Sequence, residues 1–107
     1  MNRWGIPGWL EEKVRRRDVR CVYCRVVMVE RRLATAARSR WATWEHIDND
    51  GPCSELNIAL CCGSCNASKG TKKLRTWFAS EYCRSREINE RTVLPVVRKW
   101  LRRRKAR

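Results

Sequence analysis

The chain has 107 residues, with 25 Lys and Arg against 11 Asp and Glu, for a net charge of +14. That length fits one domain, and no run approaches the ~20 consecutive apolar residues of a transmembrane helix. With 43% hydrophobic residues and six Trp, the sequence can build a core, which excludes disorder throughout. The charge excess points to a polyanion, and nucleic acid is the default one. An anionic membrane surface is set aside, because no lipidation motif accompanies the charge. The stretch Met1 to Glu12 lacks the apolar run of a secretory signal, so a cytoplasmic location is expected. There, the paired cysteines among the seven Cys are expected as metal ligands rather than disulfides, and so short a chain needs such a staple.

In chain order, residues 1–20 read as a helical arm, 21–82 as the core, and 83–107 as a basic helix and tail of one domain. The first helix is predicted from Pro7 to Arg17. Pro7 suits a first turn, Glu11 and Glu12 sit near the positive end, and Ile6, Leu10 and Val14 fall four apart. Arg15, Arg16 and Arg17 read either as a solvated helix end or as phosphate contacts. Cys21-Val22-Tyr23-Cys24 is a tight knuckle. Val26 to Val29 and Trp41 to Trp44 are predicted as short strands. Arg31 to Arg40 is basic and takes no assignment. Asp48 to Ser54 is a loop, broken by Asp-Gly and Gly-Pro.

A second helix is predicted from near Cys62 toward Tyr82, with Leu74, Trp77, Phe78 and Tyr82 on one face. Gly70 weakens its early part by about 1 kcal/mol relative to Ala. A third is predicted after Thr92, its N-cap, with Pro95 in the first turn. Val93, Val96, Val97, Trp100 and Leu101 form its apolar stripe. The run Arg102 to Arg107 is expected to leave that helix as a basic tail that gains order on a polyanion. The aromatic stripes read as core, although Trp side chains can also stack on exposed bases.

Cys21-x2-Cys24 and Cys62-x2-Cys65 are two ligand pairs. A two-residue spacer lets both sulfurs of a pair face one ion, and four thiolates complete a tetrahedral Zn²⁺. Thirty-seven residues separate the pairs, 25 through 61, more than a simple zinc ribbon holds, so a folded unit is expected between them. A closed four-thiolate site has no open position, so this zinc is structural. Cys61 competes with Cys62 as a ligand, but only Cys62 keeps the spacing. Cys53, Cys61 and Cys83 are read as buried or incidental.

His46 is the only histidine in the chain, which excludes zinc fingers built on two Cys and two His, and any mechanism with two imidazoles. It follows Glu45 at the end of a predicted strand. A carboxylate can bind a hard cation through oxygen, and a neutral imidazole can take a proton from water. Asn57 lies eleven residues after His46, and Asn66 nine further on, directly after Cys65. The amide oxygen of Asn66 is a candidate second ligand for the cation.

Glu45-His46-Ile47, then Asn57, then Cys62-Gly-Ser-Cys65-Asn66-Ala-Ser-Lys69-Gly70 resembles the signature of the HNH endonucleases. Cys21-x2-Cys24 is similar to the flank of their zinc-bound members. The likeness spans roughly residues 21 to 72. Trp4-Gly5-Ile6-Pro7 and Trp77 to Cys83 resemble segments of small stand-alone phage and bacterial members. The resemblance implies a small zinc-stabilised α+β domain. Its core would be a ββα-metal (His-Me finger) unit with flanking helices.

The resemblance makes His46 the general base of a metal-dependent DNA hydrolase. Glu45 and Asn66 hold one Mg²⁺ or Mn²⁺, and Asn57 is a catalytic-site residue that orients the histidine and holds the loop. Glu45 departs from the more usual Asp or His and is one methylene longer. The products implied are 5′-phosphate and 3′-hydroxyl ends. Lys69, Lys72, Lys73, Arg102, Arg103 and Arg104 are expected to contact DNA, although the three lysines read equally as a solvated helix face. DNA is the expected partner, phage packaging proteins are a further one, and the setting is a bacterial host cell if the chain is phage-encoded. The alternatives are a non-catalytic zinc module that binds nucleic acid, and an accessory subunit of a phage DNA-packaging complex.

Overall fold

The computed structural model of the chain describes residues 4–30 and 37–105. Its elements are α1 (Gly8–Arg17), a 3-10 turn (Arg38–Arg40), β1 (Ala42–His46), β2 (Ile58–Cys62), α2 (Gly63–Lys69), α3 (Leu74–Phe78), α4 (Glu81–Ser85) and α5 (Pro95–Lys105). This is a small α+β arrangement around one two-stranded antiparallel sheet. Among the described residues no helix is long and apolar enough to cross a membrane.

β1 and β2 pair from Ala42↔Cys62 through Trp44↔Leu60 to His46↔Ile58. Alternation along the strands then sorts the side chains into two cores. Ile58 and Leu60 meet Ile6, Leu10 and Val14 beneath α1, with Ala42 and Trp44 packed at the margin. Ala59 and Cys61 turn the other way, to a larger core with Tyr23, Trp77, Val93 and Val97. Covered on both sides, all five residues of β2 are buried. Each Leu or Val taken fully out of water here contributes roughly 1.5–3 kcal/mol.

α1 begins one residue later than expected, with the Pro7 carbonyl accepting from the N–H groups of Leu10 and Glu11 at 3.0 and 2.9 Å. At its far end Arg17 grips Asp18 through two contacts of 2.7 and 2.8 Å. Asp18 in turn accepts from the N–H of Leu60 at 3.0 Å, and Arg17 donates to the Ile58 carbonyl at 2.8 Å. This clip fixes α1 against β2.

Five expectations are corrected. Ile58–Cys62 is a strand that the sequence reading missed, because a strand buried on both faces shows no alternation. Val26 to Val29 forms no strand, only isolated bridges from Val27 to Arg20 and from Val29 to Trp41. The single helix expected from Cys62 to Tyr82 is three helices: Gly70 ends α2 at φ +54°, and Ser80 caps α4 through the N–H of Cys83. Thr92 caps no helix; its hydroxyl accepts from the N–H of Asn89, and α5 starts at Pro95. α5 also runs to Lys105, so the basic run is largely helical rather than a tail. The α5 stripe Val93, Val96, Val97, Trp100 and Leu101 is buried as expected. Most of the unassigned stretch, 31–36, and the last two residues lie outside the described ones.

Candidate metal centre and active-site cleft

The knuckle and the β2–α2 joint bring together Cys21, Cys24, Cys62 and Cys65, whose sulfurs all lie within 4.8 Å of one another. Cys24 Sγ and Cys62 Sγ are 3.7 Å apart. Zn–S bonds of about 2.3 Å in a tetrahedron give S···S edges of roughly 3.8 Å, so the spacing fits a zinc ion. Backbone N–H groups support the sulfurs: Cys24 N donates to Cys21 Sγ at 3.5 Å and Cys65 N to Cys62 Sγ at 3.4 Å. Tyr82 adds a hydroxyl donor to Cys65 Sγ at 3.3 Å. The hydrogen bond with Cys21 draws the Cys24 thiol far down, while the hydrogen bond with Cys21 pushes Cys65 up. Four sulfurs this close share protons unless a cation replaces them, so these residues could hold a metal such as zinc. Cys61 stays outside the group, beside Thr43, while Cys83 is buried and Cys53 exposed.

Cys62 ends β2, caps α2 and supplies one of the four sulfurs. No loop intervenes before Gly63. A Cβ at Gly63 would sit 2.2 Å from the Arg38 carbonyl oxygen, so only glycine allows this approach. The joint lays α2 along the outer edge of β1.

At that edge opens a cleft of about 940 Å³, lined by Trp41, Trp44, Glu45, His46 and Asn66 among others. Ile47 N reaches across to the Asn57 carbonyl, whereas Ala42 N turns away from β2 to Val29. The carbonyls of Trp44 and His46 share the parity of Ala42 and face outward too. Two α2 side chains three residues apart satisfy them: Asn66 Nδ2 donates to Trp44 O at 3.2 Å, and Lys69 Nζ to His46 O at 3.3 Å. Asn66 Nδ2 also reaches Thr43 Oγ1 at 2.9 Å. Thr43 spends its one proton on the Cys61 carbonyl at 2.7 Å, so it can only accept from Asn66. The amide is thereby oriented, and Asn66 Oδ1 is the atom left for a ligand.

Glu45 is buried, and Oε2 takes both of its contacts: Tyr23 Oη donates at 2.9 Å, and Lys69 Nζ lies at 3.1 Å. Oε1 has no hydrogen bond among the described residues. Burial pushes the Glu45 carboxyl up from its usual 4.5, while Lys69 and Tyr23 pull it down. Burial, then the Glu45 charge, holds the Tyr23 phenol well above 10, so it stays a donor. His46 is half-buried at the end of β1 and faces the same cleft.

Two expected roles are corrected. Lys69 is fully buried and committed to Glu45 and His46 O, so it cannot reach a phosphate. Asn57 is fully buried and does not line the cleft. Its Oδ1 accepts from Asp48 N at 2.8 Å, and its Nδ2 donates to the carbonyls of Asp48 and Pro52 at 3.0 and 2.9 Å. It braces the 48–57 loop, the loop-holding part of its expected role, and is a positioning residue set away from the cleft rather than a catalytic one.

Lys72 and Lys73 are exposed but lie away from the cleft, Lys72 on the Ser68 carbonyl and Lys73 on Asp50. Arg102 and Arg103 are exposed on α5, and Arg104 belongs to the same helix. A cation that does line the cleft is Arg15 of α1. Sequence reasoning also missed Tyr23, whose only signal is its place between two ligand cysteines. The chain matches no protein-family model, no curated protein and no solved structure.

Proposed function

We propose that the chain is a metal-dependent endonuclease of the HNH type that hydrolyses DNA phosphodiester bonds, with a zinc-stabilised ββα-metal core. One observation carries the reading. His46, Glu45 and Asn66, drawn from two elements, line a single cleft directly beside the four cysteines. The order β1, β2, α2 supports the same reading.

In this reading His46 accepts a proton from water as the water oxygen bonds to phosphorus and the bond to the 3′-oxygen breaks. The leaving oxygen takes its proton from solvent. Ile58 pairs with His46 across the sheet and Lys69 holds its carbonyl, so the imidazole pivots from a fixed backbone. Asn66 Oδ1 and Glu45 Oε1 are hard oxygen donors that fit Mg²⁺ or Mn²⁺, with water completing the shell. When bound, such an ion supplies Lewis-acid stabilisation of charge growing on the phosphate. Zinc on Cys21, Cys24, Cys62 and Cys65 is structural, and the +14 chain supplies attraction to the DNA backbone.

The rival reading is a non-catalytic zinc module that binds nucleic acid. The pairing of Glu45 with Lys69 favours it, since that carboxylate already has a counter-charge. Plasmid nicking by purified protein with Mg²⁺ or Mn²⁺ separates the two. His46→Ala is expected to lose about 10²–10⁴-fold in rate, the usual worth of a general base, with zinc content and DNA binding retained. Parental rates in that variant would reject His46 as the base, and no nicking by the parent would leave the rival.

A further inference from the structure

The cleft beside His46 has a second character that the hydrolytic reading does not use. Its walls include Trp4, Trp41 and Trp44 together with Arg15. Trp4 is 55% exposed, and Trp41 and Trp44 are half-buried, so these rings are not simply core. Trp77 and Trp100, in contrast, are buried in the main core. Exposed arginines lie over two of the cleft rings: the Arg15 guanidinium is 5.1 Å from the Trp44 centroid, and that of Arg38 is 5.5 Å from Trp41. Aromatic faces interleaved with guanidinium groups suit a ligand that is anionic along one edge and flat and aromatic along the other.

We infer that this cleft binds single-stranded DNA, with unpaired bases stacked on Trp4 and Trp41 and the flanking phosphates held by Arg15 and Arg38. The inference rests on the nuclease reading and adds to it the substrate class: strands with unpaired bases next to the scissile bond. In an intact duplex every base face is covered by its neighbours, so the tryptophans find nothing to stack on. An exposed cation–π contact is weaker than a base–aromatic stack. A base therefore displaces Arg38 from the Trp41 ring and the freed guanidinium turns to a phosphate, while Arg15, exposed beside the cleft, meets a neighbouring one. Trp44 and His46 share one face of β1, two residues apart, roughly 6.6 Å along the strand. A chain laid over the tryptophans thus runs on to the imidazole. The net charge of +14 supplies the sequence-independent attraction.

The test uses the His46→Ala protein loaded with zinc and without Mg²⁺, so that binding is read apart from cleavage. The probe is an oligodeoxythymidine of roughly 12 nucleotides, within the usual site size, compared with a duplex of the same length. The oligomer is expected to bind more tightly and to quench tryptophan fluorescence. Trp4→Ala sits at an exposed position, and its zinc content checks its folding. Trp41→Leu keeps apolar bulk but removes the π face, and zinc content checks its folding. Each is expected to weaken oligomer binding about 5- to 100-fold, with the salt dependence unchanged.

Equal or tighter duplex binding overturns the inference, as do variants that bind like the parent. Tighter binding of an oligouridine of the same length overturns the assignment to DNA. Tight oligomer binding with no cleavage by the parent protein in Mg²⁺ or Mn²⁺ overturns the nuclease reading instead, and nicking by the parent without any single-strand preference overturns this inference alone.

Discussion

Lys69 and Glu45 meet at 3.1 Å with both side chains shut away from water, directly behind the strand end that carries His46. Such a pair is costly to break because the survivor stays buried and charged. Lys69→Met is therefore expected to destabilise the fold by about 3–5 kcal/mol, whereas the double change Lys69→Met with Glu45→Leu recovers most of that loss. Urea denaturation of the parent, both single variants and the double variant measures the coupling. Additive losses would show that the pair does not act as a unit.

The same burial gives a pH signature. Desolvation raises the Glu45 carboxyl above 4.5 in the folded chain, so the folded state holds this proton more tightly than the unfolded state. The resulting contribution is favourable at low pH and is lost as pH rises through the raised value. Glu45→Gln lacks it. The stability of the parent relative to Glu45→Gln is thus expected to decline as pH rises above 4.5. Denaturation of both proteins across that rise, with zinc saturation held constant, checks the sign.

Removing metal from the cysteines is expected to unfold the domain. Structural zinc supplies about 10–16 kcal/mol in small zinc modules, and whole domains have only about 5–15 to lose. Circular dichroism during chelation should show one cooperative loss of structure. Withholding Mg²⁺ should silence nicking and leave the spectrum unchanged. A native spectrum after complete zinc removal would refute the structural role.

Gly63→Ala is expected to be harmful far beyond its size. The new methyl meets a backbone oxygen of Arg38, not a yielding side chain, and overpacking of this kind costs about 1–3 kcal/mol. A fall in melting temperature of about 5–15 °C is expected. Competition with a zinc chelator should also show weaker metal binding, since Gly63 lies between two ligand cysteines.

Much of the cleft was legible because its chemistry is carried by rare residues at fixed spacing. Two cysteine pairs, one histidine and an asparagine after the last ligand cysteine need no knowledge of the fold to be singled out. The α5 stripe was legible because one face of that helix is solvated, so its period survives. β2 was not, since burial on both faces erases alternation. The three helices read as one because the apolar positions of α3 and α4 extend the same stripe across Gly70 and Ser80. Lys69 was misplaced for a different reason: a lysine is exposed by default, and only the carboxylate brought beside it by tertiary contact makes burial tolerable. The tryptophans divide in the same way, since nothing in their local sequence separates Trp77 in the core from Trp41 at the cleft.

Cys65 and Asn66 are consecutive on α2, and Cys62 joins that helix to β2 without a spacer. Any change in the radius of the ion held by the sulfurs must therefore turn or lift the amide that faces the cleft. Exchange of zinc for cadmium, with its longer bonds to sulfur, would act as a remote adjustment of Asn66. The cleft would respond to an ion that does not line it.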